Sequence, residues 1–156
     1  MEPMSQAQAW AVLECARGQG VRTRLDGRGG SVVVRSLPAG VVYPYNYGYV
    51  EGTRAEDGEE LDVFVLGPSR PPATRLRVEV VGAVAFADRR GDDPKLLAVP
   101  AGWAGREPVA AAAARVAEFL RRYKDDAEPR WVGGAVGQEA ALSLLAAARR
   151  RGGGEA

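Results

Sequence analysis

Histidine is absent from this chain of 156 residues. That gap excludes imidazole bases, histidine-dependent triads and zinc sites with histidine ligands. Cysteine occurs once, as Cys15, so no intramolecular disulfide is available and a reducing, cytoplasmic compartment is expected. No run approaches the roughly 20 apolar residues needed to cross a bilayer, so no membrane partner is expected. A secretory signal is not expected either, because the start lacks a basic segment and AWAVLECA is short and interrupted. An excess of one charge is also missing, with 21 Lys+Arg against 20 Asp+Glu. Electrostatic function must therefore come from local placement. Hydrophobic residues make up 46% of the chain, which supports a globular core rather than disorder, and the length suits one domain.

The stretch from Tyr43 to Leu66, YPYNYGYVEGTRAEDGEELDVFVL, organises the rest. Asp62 lies within LDVFVL, whose other residues favour a buried strand. A carboxylate there costs several kcal/mol to desolvate unless a cation or several donors meet it. Asp57, Glu59 and Glu60 lie just upstream, so protein acids alone would only add repulsion. A divalent metal is the simplest way to hold such a group together.

Strands are expected at Trp10–Glu14, Ser31–Arg35, Leu61–Leu66, Leu76–Phe86 with a bulge or bend at Gly82, and KLLAV from Lys95. Val21–Leu25 alternates poorly, but the glycine-rich link after it predicts a hairpin with Ser31–Arg35. Tyr43, Tyr45, Tyr47 and Tyr49 alternate and would share one face if extended, although Pro44 and Gly48 argue against a plain strand. Short strands separated by turn chemistry predict a small closed barrel. The period then changes. Val109, Ala112, Ala113, Val116, Phe119, Leu120 and Tyr123 mark a helix from about Pro108. Gln138–Arg150 marks a second, with Ala141, Leu142, Leu145 and Ala146 inward. Residues 1–148 read as one domain and 149–156 as a frayed basic, glycine-rich tail.

Asp57 and Asp62 flank one strand start, and Asp88 and Asp93 flank a later loop. If both open on the same end of the barrel, the carboxylates converge and require a hard cation. Mg²⁺ fits all-oxygen ligands, usually with phosphate as a further ligand. Singly, Asp57, Asp88 and Asp93 are ordinary turn or loop aspartates. Arg35, Lys95 and Lys124 stand at element ends, where a side chain reaches across a cleft, and Tyr123 ends an apolar helix face. With metals they would form a phosphate cradle. The competing reading is a solvated surface for the cations and a core-edge aromatic for Tyr123. The tyrosines leave two readings open, base-stacking rings or a buried corner.

In order and spacing, YPYNYGYVEGT, DGEELDVFVLG, DDPKLLAVP and YKDDAEPRW resemble the family I soluble inorganic pyrophosphatases, from about Glu14 to Trp131. The resemblance implies an α+β, mainly β fold: a small five-stranded OB-type closed barrel flanked by two C-terminal helices. It implies hydrolysis of inorganic diphosphate with several Mg²⁺ ions, Mn²⁺ being an alternative, in a cytoplasmic homo-oligomer, commonly a hexamer. By motif it implies Asp57, Asp62 and Asp93 as ligands of the first metals, with Asp62 bridging, and Asp88 as ligand of the metal arriving with substrate. Arg35, Tyr123 and Lys124 match phosphate-binding positions, Lys95 the lysine of the second acidic loop, and Tyr47 the tyrosine near the attacking water. Glu14 and Tyr43 align with further active-site positions.

Three departures stand out. Glu59 replaces the aspartate presumed to be the general base and is one methylene longer; a ~1 Å misplacement can cost roughly 10²-fold in rate. Arg22-Thr23-Arg24 replaces Lys-x-Glu, so Arg22 can still bind phosphate while Arg24 reverses a charge. Arg89 replaces an acid beside Asp88. The expected activity is diphosphate hydrolysis at a reduced rate. The competing readings are a non-hydrolysing phosphate or nucleotide binder and, less favoured, an OB-type module for single-stranded nucleic acid.

Overall fold

Two apolar runs set the architecture, because both of their faces are buried. In the computed structural model, which describes residues 5–103, 105, 107–124 and 128–153, these runs are β5 (Asp62–Val65) and β8 (Lys95–Pro100). They pair in parallel, Val63 opposite Leu96 and Val65 opposite Ala98. Val63, Val65, Leu96 and Ala98 join one core cluster, while Phe64, Leu97 and Val99 join another. Parallel strands buried on both sides lose the polar alternation of a half-exposed sheet, as seen here.

The other barrel strands are β1 (Gln8–Cys15), β4 (Asn46–Val50) and β6 (Arg75–Asp88). Pairing runs β1–β4–β5–β8–β6 and closes through β6–β1, giving the expected five-stranded barrel. β6 is long enough to serve two neighbours in succession, β1 and β9, along the edge opposite β8. Its first part pairs with β1, its register shifts between Val80 and Gly82, and its last part pairs with β9 (Arg130–Val136). The two-residue strand β7 (Gly91–Asp92) turns back on its end. β9 was not expected. Its two glycines and an outward Trp131, 59% exposed, leave no alternating pattern to read.

The expected hairpin forms from β2 (Val21–Leu25) and β3 (Ser31–Ser36), as a separate two-stranded sheet outside the barrel. The tyrosine segment supplies a barrel strand in spite of Pro44 and Gly48. Pro44 precedes the strand, and Gly48 is there because β1 crosses it closely. A Cβ at Gly48 would lie 1.9 Å from the Val12 carbonyl oxygen and 2.8 Å from Leu13 Cα, both backbone atoms with nowhere to go. Gly48→Ala is accordingly expected to lower stability by about 1–3 kcal/mol, read as a lower thermal midpoint; an unchanged midpoint would mean the β1–β4 crossing is looser than drawn.

Helix α1 (Val109–Arg122) starts after Pro108 at its N-cap and buries Ala112, Ala113, Val116, Ala117, Phe119 and Leu120. Helix α2 (Gln138–Arg151) buries Ala141, Leu145 and Ala148, whereas Ala146, expected inward, is exposed. The three-residue step from Leu145 to Ala148 keeps the buried stripe on one face. Arg149–Arg151 form the last turn of α2 rather than opening a tail, and Arg149 Nη2 donates to the Gln8 carbonyl at 2.6 Å. Cys15 is buried and free. Among the described residues no helix is long and apolar enough to cross a membrane.

Candidate active site

Strand direction gathers the polar ends. Because β5 and β8 run in parallel, their first residues, Asp62 and Lys95, start side by side. β6 is antiparallel to β8 and pairs Val84 with Lys95, so its end, Asp88, arrives at the same rim. β4 is antiparallel to β5 and places Tyr49 opposite Asp62, two residues on from Tyr47. The result is a cleft of about 670 Å³ at one end of the barrel, within the usual size range for a small-molecule site.

Asp57, Asp62, Asp88 and Asp93 all line this cleft. So do Glu59, Glu14 and Tyr47, and so do Arg22, Arg35, Lys95, Tyr123 and Lys124. Tyr43 does not line it. Its ring lies behind, stacked on Tyr47 at 5.6 Å and against Phe119 at 4.8 Å. Its buried hydroxyl sits beside Cys15 and Arg22 without completing a hydrogen bond to either.

At the centre is Lys95, whose side chain is 4% exposed. Its Nζ donates to Asp62 Oδ2 at 2.7 Å and to Asp93 Oδ2 at 2.8 Å, with the Tyr47 hydroxyl at 3.4 Å. Burial works against the ammonium charge, but Tyr47, Asp62 and Asp93 outweigh it and hold Lys95 protonated well above its usual range. One ammonium is shared by two carboxylates, so burial leaves the Asp93 carboxyl above its usual range despite Lys95. Burial and the neighbouring Asp62 charge push the Tyr47 phenol well above its usual range, so it remains a neutral donor. Burial also raises Glu14, against the pull of Arg22. Asp62, inferred from its apolar neighbours to be deeply buried, is in fact the first strand residue, with 23% of its side chain exposed. The deeply buried ion is Lys95, for which a solvated surface was the competing expectation.

The phosphate-binding candidates enter from the opposite wall. Arg22 and Arg35 come from the hairpin, and the Thr23 hydroxyl anchors it by donating to the Glu14 carbonyl. Arg35 Nη1 donates to the Tyr123 carbonyl at 3.0 Å and lies over the Tyr123 ring. Lys124 Nζ stands 4.0 Å from Asp88 Oδ2 and 3.7 Å from Glu128 Oε2. Sequence reasoning did not single out Arg130, whose guanidinium donates to the carbonyls of Leu120, Arg121 and Lys124. It caps the end of α1 and thereby sets Tyr123 and Lys124. Nor did it single out Glu128 or Arg90, and it gave Tyr49 and Glu60 no role in the site, although all four line the cleft. Turn and strand-end residues carry no periodic signal. Arg89, noted for replacing an acid, lies outside this cleft, while its neighbour Arg90 faces in.

The tyrosines cannot serve as a stacking platform. Tyr43 and Tyr45 are fully buried and Tyr47 nearly so. They do not share one face: Tyr45 donates to Glu107 Oε1 at 2.5 Å, away from the Tyr43–Tyr47 stack.

A divalent metal fits the donor chemistry. The acidic lining offers only oxygen, and Asp93 is a buried carboxyl whose charge is incompletely met. As they stand, no three acidic side chains among the described residues are drawn together around one point, since Lys95 sits between Asp62 and Asp93.

A closed barrel with carboxylates and arginines gathered at one rim has the side-chain chemistry of a metal-assisted phosphate hydrolase. The inorganic pyrophosphatase family model matches residues 11–151. An inorganic pyrophosphatase of Caulobacter vibrioides is 31% identical over 129 residues, covering 74% of this chain and 72% of its own. One of Xylella fastidiosa is 35% identical over 123 residues, covering 72% and 69%. The crystal structure of inorganic pyrophosphatase from Thermus thermophilus superposes with a TM-score of 0.86 at 28% identity, over 98% of this chain and 95% of that one. The chain belongs to the inorganic pyrophosphatase family.

Proposed function

We propose that this protein hydrolyses inorganic diphosphate to two phosphates, using several Mg²⁺ ions, with Mn²⁺ able to replace them. The observation that carries the reading is the convergence of Asp57, Asp62, Asp88 and Asp93 with Arg22, Arg35 and Lys124 in one cleft. Asp57, Asp62 and Asp93 would hold the first ions and Asp88 the ion that accompanies substrate. Ions bound there acidify water and neutralise phosphate charge. The protein does the rest. Arg22, Arg35 and Lys124 bind and orient the phosphates, and Tyr123 closes that wall. Lys95 keeps Asp62 and Asp93 at a fixed separation. Tyr47, a neutral phenol, keeps its proton and would orient the attacking oxygen by a hydrogen bond, and Glu59 would accept the water's proton on its carboxylate.

Purified protein is expected to release phosphate from diphosphate with Mg²⁺ and to stop when the metal is chelated. Tight diphosphate binding without release would instead identify a non-hydrolysing binder. Silence in both, with salt-sensitive oligonucleotide binding, would identify a nucleic-acid module, which buried tyrosines and the acidic lining disfavour. Glu59 has a side chain 67% exposed and one methylene longer than the family's aspartate. Glu59→Asp is expected to raise kcat by up to about 10-fold by shortening that reach; an unchanged kcat would remove Glu59 from the base role.

The oligomer is proposed to be a homohexamer, by likeness to the family. Val33, 63% exposed, and Trp131, 59% exposed, provide apolar surface for association to cover. Sedimentation showing a monomer at working concentration would end that proposal. The free, buried Cys15 agrees with a cytoplasmic setting, which imaging of a tagged chain would check.

A further inference from the structure

Arg90 occupies a position in the cleft that the proposed reaction does not use. Asp88 pairs with Gly91 across the β6–β7 turn, so Arg89 and Arg90 are its two central residues. The Asp88 carboxylate accepts the Arg90 backbone N–H at 2.9 Å, fixing the turn so that Arg90 faces the cleft. From there one guanidinium serves the whole Asp57–Glu59 turn. Its Nη2 is 3.3 Å from Glu59 Oε1 and 3.9 Å from Asp57 Oδ2, and it donates to the Asp57 carbonyl at 3.4 Å. The Asp57 side chain is only 9% exposed, so the cation on it matters more than an ordinary surface partner would.

Arg90 and Lys95 divide Asp57, Glu59, Asp62 and Asp93 between them, while Asp88 faces Lys124. Lys95 is locked between Asp62 and Asp93 with 4% of its side chain exposed, and leaving would strand a buried charge. Arg90 has 54% of its side chain exposed and can withdraw into water at little desolvation cost.

We infer that Arg90 is a resident counter-ion of the Asp57–Glu59 turn, competing with a divalent cation for those carboxylates and withdrawing to solvent when the cation binds. The inference rests on the proposed reading for Asp57 as a metal ligand. Its consequence is a metal affinity set below what the carboxylates alone would give, and one that depends on salt, because an exposed guanidinium is screened. Arg90 touches neither substrate nor reacting atoms in this account. It acts through Asp57 and Glu59 as a positioning residue.

The test is calorimetric titration of Mn²⁺ into the full chain and its Arg90→Gln and Arg90→Lys variants, with thermal melting to establish that each folds. Arg90→Gln is expected to tighten Mn²⁺ binding by about 3- to 10-fold at low salt, and that gain should shrink as salt rises. Arg90→Lys, which keeps the charge, should stay within about twofold of the parent. A purely structural role would weaken binding in Arg90→Gln, the opposite direction. Equal or weaker Mn²⁺ binding in Arg90→Gln, with diphosphate hydrolysis intact, overturns the inference and leaves the hydrolase reading standing. Tighter binding in a protein that releases no phosphate overturns the hydrolase reading and leaves the counter-ion standing. If neither parent nor variant binds Mn²⁺, both are overturned.

Discussion

Asp62→Asn is expected to reduce phosphate release from diphosphate on the order of 10²–10³-fold, with most of the fold's stability retained. The substitution preserves shape and removes only the charge. Asp62 opens β5 beside Lys95, and its Oδ2 lies 2.7 Å from that ammonium. Lys95 keeps a second carboxylate, Asp93 at 2.8 Å, so the buried cation is not left alone. The loss should therefore be chemical: the oxygen proposed as the central ligand becomes neutral, and a neutral amide binds a hard dication far less well. Steady-state phosphate release and a thermal melt on the same preparation separate the two contributions. A variant keeping more than about a tenth of parental kcat/KM would remove Asp62 from the reaction.

The second large effect belongs to Lys95. Lys95→Met removes the one cation shared by Asp62 and Asp93 and leaves two closely placed carboxylates, one of them in a buried carboxyl already short of compensation. Breaking a buried pair in this way costs about 3–5 kcal/mol, which for a chain of this size lowers the thermal midpoint by roughly 6–20 °C. The folded-state pKa of Lys95 is raised above the usual 10.5. Its contribution is thus fully present below that value, including at neutral pH, and is lost only as pH rises through the raised folded-state value. Added Mg²⁺ should recover part of the midpoint in Lys95→Met, because a dication can neutralise the same oxygens and binding stabilises the folded state. Melting curves with and without Mg²⁺ decide this. A midpoint unmoved by the substitution would show that the ion triad does not support the fold.

The legibility of the site varied with the kind of residue. Asp57, Asp62, Asp93, Tyr123 and Lys124 sit in stretches whose order and spacing carry the family resemblance, Arg35 and Asp88 lie outside those stretches, and the cleft brings all seven together. Lys95 was legible as a strand start but not as a buried ion, because burial of its ammonium depends on Tyr47 and Asp62 from other strands. A shared face for Tyr43 and Tyr45 with Tyr47 and Tyr49 depended on an extended segment, and of the two readings left open the buried corner is the one that holds. β4 starts only at Asn46, so the alternation lapses before reaching Tyr43 and Tyr45. β9 went unread for a related reason: it pairs only with the far half of β6, and a glycine-rich strand with an outward tryptophan has no periodic mark of its own.

By itself the sequence determined the kind of chemistry. Without histidine and with one cysteine, the acidic segments leave oxygen ligands and arginine or lysine to handle phosphate. It also determined the elements that carry a local mark, since continuous apolar runs and a 3.6-residue period are local properties of the chain, whereas β9 has none. Which acid faces which cation was decided only in three dimensions. The parallel register of β5 and β8 sets Lys95 between Asp62 and Asp93, and a two-residue turn aims Arg90 rather than Arg89 at Asp57 and Glu59. Ion pairing falls off steeply with separation, and separations between residues distant in sequence are set by strand order and register.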